Sequence, residues 1–182
     1  MRRCEITCGS STEKKAPTAA IIDAQSVKTA NHPGMRGYDA GKKVVGRKRH
    51  LVVDTLGLIL GVEITSANIS DSAGAQQVLP RVLRQFGWLR HFWADAAYAG
   101  PRLVEIMRKE APRRGARLEI VKRLDGTGGG FVVQRKRWIV ERTFAWLSSN
   151  RRLVKDYEAN PAHSLAFIHI AASRLMLKRL KR

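Results

Sequence analysis

The chain has 182 residues, enough for one domain with a buried core. Hydrophobic residues make up 44% of it, which excludes a disordered tail, and 34 Lys and Arg stand against 15 Asp and Glu, a formal net charge of +19. An excess of that size points to a polyanionic partner, most often nucleic acid, as for a ribosomal-type protein or a nucleic-acid enzyme. Residues 1–18, MRRCEITCGSSTEKKAPT, show no hydrophobic period and read as a loose arm before a single domain over 19–182. AAIID, ending at Asp23, is a short apolar run and predicts a buried strand. Residues 31–48 are rich in Gly, Lys and Arg and predict an exposed basic loop carrying Lys42, Lys43, Arg47 and Lys48, with Arg49 following. RHLVVDT and LILGVEIT are two β-branched runs separated by Leu56-Gly57, an antiparallel hairpin with Asp54 at its turn. In SDSAGAQQVLPRVLRQF, Val78, Val82 and Phe86 recur every four residues, an amphipathic helix that Pro80 is expected to bend or restart.

RHFWADAAY predicts a further strand, ending at Asp95, and GPRLVEIMRKE a helix that opens on proline. RLEIVKR is the last strand. Asp125 then leads into GTGGG, which reads as a turn and flexible joint, since it lacks the Lys-Ser/Thr of a phosphate-binding loop. RKRWIVERTFAWLSSNRRL, residues 135–153, is a basic helix with an apolar stripe of Val140, Phe144 and Leu147 and a single acid, Glu141. A final helix starts at Asn160-Pro161, with Leu165, Ile168, Ala172 and Leu175 as its stripe.

Cys4 and Cys8 have no second cysteine pair and no nearby histidine, which argues against zinc. No apolar run is long enough to span a bilayer and no signal peptide is evident, so a cytoplasmic protein with free thiols and no membrane partner is expected.

The element order, β-β-β-α-β-α-β-α-α, predicts a mixed α/β fold. A right-handed crossover makes the fourth strand parallel to the first, in a five-stranded sheet of order 3-2-1-4-5 with helices on its faces. Asp23 and Asp95 then emerge side by side at one sheet edge, where open α/β sheets bind ligands. Asp54, on a strand that runs the other way, points to the opposite edge. Adjacent carboxylates repel unless a cation or proton lies between them, and such oxygens suit Mg²⁺ or Mn²⁺. Glu141 is the candidate third ligand of a two-metal phosphodiester site. Arg137, Arg142, Arg151 and Arg152 around it, with the basic loop, are the candidate DNA-phosphate contacts. The competing readings are a surface Arg137–Glu141 pair one helical turn apart, turn-capping acids, and Trp138, Phe144 and Trp146 as core. His50, His91, His163 and His169 show no ligand spacing.

IIDAQSVK, GYDAGKKVVGRKRHLVVDTLGL, WADAAYAG, LEIVKR and KRWIVERTFAWLSSNRRLVKDYE, in that order, resemble the DDE transposases of bacterial insertion sequences in the IS-four/IS-five grouping, over about residues 19 to 180. The resemblance implies an RNase H-like core, a divalent-metal cofactor and the family's Asp-Asp-Glu positions at Asp23, Asp95 and Glu141. It implies DNA cleavage by water and attack of the freed 3′-hydroxyl on target DNA, in an oligomeric complex with the element's ends. Arg137 falls on the arginine of the family's Tyr-x2-Arg-x3-Glu-x6-Lys pattern, whereas Gln134 and Ser148 stand where that pattern has Tyr and Lys. Only 22 residues precede Asp23, where family members carry an end-recognition region. The chain is therefore expected to be a catalytic half, truncated or completed by the product of a separate upstream frame. The alternatives are a non-catalytic basic nucleic-acid-binding protein and an RNase H-like nuclease without strand joining.

Overall fold

The computed structural model describes residues 16–31, 33–112, 115–121 and 136–180. Most of the predicted arm, with Cys4 and Cys8, lies outside the described residues, as do Asp125, the glycine-rich joint and Gln134.

Strand β1 (Ala19–Lys28) runs through the middle of the sheet. Its sequence explains why: Ala19, Ala20, Ile21 and Ile22 are apolar on both faces, so both faces must be covered. Strand β3 (Val44–Asp54) pairs with it antiparallel, and β4 (Ile59–Ser66) pairs antiparallel with β3. On the other side β5 (His91–Ala94) pairs parallel with β1, and β6 (Arg117–Ile120) parallel with β5. The order β4-β3-β1-β5-β6 is the one expected for the RNase H-like core. A sixth strand, β2 (Gly37–Asp39), pairs with the start of β3 inside the stretch predicted as a loop. Composition hid it, because a three-residue strand beside a tight turn has no period to read.

Helix α1 (Asp71–Gln85) and α2 (Pro101–Glu110) cover one face, where Ile22, Val52 and Phe92 meet Val78, Leu79, Leu103 and Met107. Helices α3 (Trp138–Ser148), α4 (Arg151–Val154) and α5 (Pro161–Leu180) cover the other, where Ile21, Leu51 and Val53 meet Val140, Phe144, Leu147 and Ile168. The predicted 135–153 helix is thus broken at Ser149-Asn150, where Asn150 turns its amide back onto the Trp146 and Leu147 carbonyls. Helix α1 instead runs unbroken through Pro80. Among the described residues no helix is long and apolar enough to cross a membrane.

The β3–β4 turn is closed by Asp54, whose Oδ1 accepts from the Leu56 and Leu58 amides, each at 2.8 Å. Gly57 completes it at φ +82°, a left-handed conformation that favours glycine. Thr143 of α3 donates to the Gly57 carbonyl at 2.9 Å, so the hairpin tip also anchors α3.

Gly74 sets how closely α1 approaches β3. A methyl group there would overlap the ring of His50, which lies 2.9 Å from Thr65 Oγ1 and whose pKa burial pushes down to about 4. Alanine would gain about 1 kcal/mol of helix propensity, yet Gly74→Ala is expected to lower stability by about 1–3 kcal/mol through overpacking. Denaturant unfolding checks this; a stabilised variant would show that α1 does not rest on His50.

Candidate active site

Side-chain parity brings the acids together. Successive residues of a strand face opposite sides of the sheet. Asp23 shares the parity of Ile21, and Asp95 that of Trp93, and both of those residues pack toward α3. Asp23, expected at the end of its strand, lies in the middle of it. The parallel pairing of β1 with β5 stops at Ile21–Trp93, so the two strands part just before the two aspartates. A cleft of about 480 Å³ opens at that point, lined by Asp23, Lys42, Asp71, Asp95 and Arg137 among others.

Helix α3 supplies the remaining groups. Lys136, at φ +77°, lies 4.1 Å over the Trp93 ring and 3.3 Å from Glu119 Oε1, while the Trp93 indole donates to Glu119 Oε2 at 2.8 Å. This brace seats the start of α3 against β5 and β6. The next residue, Arg137, places Nη2 3.5 Å from Asp23 Oδ2, 3.5 Å from Asp95 Oδ2 and 3.7 Å from Glu141 Oε1. No two of these carboxylate oxygens can therefore be farther apart than about twice the longest of those distances. The surface Arg137–Glu141 pair weighed from the sequence does form, but as one arm of a three-acid cluster.

Asp23 is 8% exposed, and burial is the main reason its pKa rises to about 6. The Asp95 charge pushes the same way, against the Ala24 amide, Arg137 and Lys42. Asp95 caps a short 3-10 turn over Ala96–Tyr98, accepting from the Ala97 amide at 2.9 Å. Glu141 stands more open, its side chain 54% exposed. All three offer carboxylate oxygen, the donor set Mg²⁺ and Mn²⁺ take. As they stand they surround a guanidinium, and among the described residues no three His, Cys, Asp or Glu groups lie close enough together to hold a metal ion unaided.

The raised pKa makes a stability prediction. An acid with a folded-state pKa near 6 and an ordinary value of 3.8 contributes stability that is full below the lower value and lost as pH rises through the higher one. Asp23→Asn should therefore stabilise the metal-free protein at pH 8, by up to about 3 kcal/mol, with the gain vanishing near pH 4. Thermal melts in EDTA check this, and a variant that is less stable at pH 8 would contradict it.

Of the cations expected on DNA, Lys42 lines the cleft, its Nζ donating to the Ala24 carbonyl at 3.0 Å, and Lys43 is exposed on the β2–β3 turn. Arg151 and Arg152 are exposed on α4, with Arg152 paired to Glu158 at 2.6 Å. Arg142 is sandwiched between Trp138 and Trp146, at 4.4 and 4.6 Å. Trp138, read as core, is 43% exposed. Arg47 and Lys48, expected on an exposed loop, and Arg49, expected at the start of the following strand, lie in the interior of β3, at 0, 5 and 1% exposure. Asp71 joins the cleft without having been expected there: its only sequence signal is its place in the first turn of α1, and Lys48 Nζ holds it at 2.9 Å.

Residues 14–176 match the family model described as a transposase DDE domain. The chain is 32% identical over 147 residues to a Burkholderia cepacia protein named "Putative transposase for insertion sequence element IS402", covering 75% of this chain and 65% of the relative. It thus spans just under two thirds of that protein's length. A chain in the cryo-EM structure of a simian T-cell lymphotropic virus intasome with PP2A regulatory subunit B56 gamma superposes with a TM-score of 0.49 at 18% identity, covering 86% of this chain and 47% of that one.

Proposed function

The chain belongs to the transposase DDE domain family, and on that premise we propose that it cuts DNA strands and joins the freed 3′ ends to target DNA, with Asp23, Asp95 and Glu141 as its catalytic carboxylates. One observation carries the reading: a single guanidinium nitrogen lies within 3.7 Å of acids from three separate elements. Carboxylates gathered around one point repel unless a cation or proton lies among them, and the resident arginine is a cation at that point.

Asp23, Asp95 and Glu141 would hold the Mg²⁺ or Mn²⁺ ions. Bound there, such ions polarise phosphoryl oxygens and activate water or a hydroxyl for in-line displacement. Asp23 and Asp95 line the cleft. Glu141, exposed on α3, is tied to them through Arg137. Arg137 balances the cluster's charge and is positioned to turn to a phosphate once the acids are engaged elsewhere. Lys42, already in the cleft, is placed to meet a non-bridging phosphate oxygen. Ends of the parent element and target DNA are the substrates, and a homo-oligomer is the working assembly.

The test uses 3′-labelled DNA from the flanks of the element, with Mg²⁺, Mn²⁺ or EDTA. Cleavage and joined products that need the metal are expected. Cleavage without joined products would reduce the reading to a nuclease, and binding without cleavage to a non-catalytic protein.

A further inference from the structure

A second groove lies beyond the acid cleft, of about 380 Å³, and its charged lining is entirely cationic: Lys28, Arg36, Lys43 and Lys155. The first three are exposed and Lys155 is half-buried. Among the described residues none of the four pairs with a carboxylate. The backbone holds two of them together, Lys28 and Lys155: the Asp156 amide donates to the Lys28 carbonyl at 2.8 Å, and the Ala30 amide to the Asp156 carbonyl at 2.7 Å. Lys43 is held at φ +53°, a left-handed conformation that costs a non-glycine residue about 1–2 kcal/mol. Like charges fixed in one groove repel until a polyanion neutralises them.

Lys42 and Lys43 are consecutive on the β2–β3 turn, and the first lines the acid cleft while the second lines the groove. Lys28 lies five residues beyond Asp23 on the same strand, about 16 Å at the rise of an extended chain.

We propose that this groove is a phosphate track for duplex DNA, engaging the backbone beyond the phosphate held at the acid cleft. The inference rests on the proposed function for what occupies the cleft, but not on cleavage for its test. The recognition is of phosphate, so it adds affinity without sequence preference.

The experiment measures affinity for a 20-base-pair duplex of arbitrary sequence by fluorescence anisotropy at several salt concentrations. A variant carrying Lys28→Gln, Arg36→Gln, Lys43→Gln and Lys155→Gln is compared with one carrying Arg102→Gln, Arg108→Gln, Lys109→Gln and Arg117→Gln. The second set is exposed on α2 and β6 and removes the same charge. Each phosphate contact contributes about 0.9 to the slope of log affinity against log salt, so the groove variant should lose about 3 to 4. Between 50 and 200 mM salt its sensitivity should shrink about 100-fold, while the control changes by less than about 1 in slope. If the fourfold variant does not fold, the Lys28→Gln/Lys43→Gln pair should lose about half as much. An unchanged slope, or equal losses in both variants, overturns the track. Metal-dependent cleavage with an unchanged slope would leave the proposed function standing and sink only the groove; the expected loss of slope in a protein that never cleaves would do the reverse.

Discussion

Glu141→Gln, Asp95→Asn and Asp23→Asn are each expected to lower metal-dependent DNA cleavage by about 10³-fold or more, the several kcal/mol that a correctly held metal contributes to phosphoryl transfer. Each change keeps shape and the local hydrogen bond while removing charge. Asparagine at 95 can still accept from the Ala97 amide, and asparagine at 23 from the Ala24 amide. Glu141 is an exposed helix residue, so its replacement should alter stability by no more than about 0.5 kcal/mol. DNA binding should survive in all three, or tighten slightly as repulsion of phosphate falls. Asp54→Asn is the control. Its Oδ1 closes the β3–β4 turn and its register partner is Ala20, three residues back along β1 from Asp23. An asparagine oxygen can accept the same two amides, so cleavage should stay near the parent rate. Loss of cleavage in Asp54→Asn with retention in Glu141→Gln would show that the third carboxylate is misassigned.

Hydrophobic period and element order carried most of the fold that was legible in the sequence. The β-branched runs, the crossover and the helix stripes led to the strand order and to helices on both faces. The convergence of Asp23 with Asp95 came from that order, although the length of β1 did not. Residues 24–28, AQSVK, look like a loop because only β3 pairs with them once β5 has diverged. Side chains whose chemistry contradicts their location stayed hidden. The run Arg47-Lys48-Arg49-His50 has the composition of a solvated loop, yet it occupies a strand covered on both faces. Only tertiary partners make that possible, and those partners lie about a hundred residues away in sequence or on another helix. Trp138 errs the other way: an aromatic residue in an apolar-looking helix is stacked on Arg142 at the surface rather than buried.

Arg47 gives the sharpest test of that interior placement. Its guanidinium is fully buried and donates from every nitrogen: Nε to the Met35 carbonyl at 2.8 Å, Nη1 to Asp156 Oδ2 at 3.2 Å, to the Glu158 carbonyl at 2.7 Å and to Ser164 Oγ at 3.0 Å, and Nη2 to the Ala159 carbonyl at 2.7 Å. Ser164 in turn donates to Asp156 Oδ1 at 2.6 Å. The arginine therefore ties the segment before α5, and the first turn of α5, to the end of the sheet. Removing it strands a buried carboxylate and three carbonyls, so Arg47→Ala should cost about 3–5 kcal/mol in denaturant unfolding. Arg47→Lys should recover only part of this, because one ammonium group cannot span the fork. Asp156→Ala should cost a similar amount, and the double variant should fall short of the sum by about 1–3 kcal/mol, as coupled partners do. A surface phosphate contact predicts the opposite pattern: an unchanged melting temperature and a shallower salt dependence of DNA binding. That result would return Arg47 to the surface and, with it, the start of β3. It would also remove the scaffold of the second groove, since Lys28 and Lys155 are held beside each other through Asp156, the acid that Arg47 neutralises.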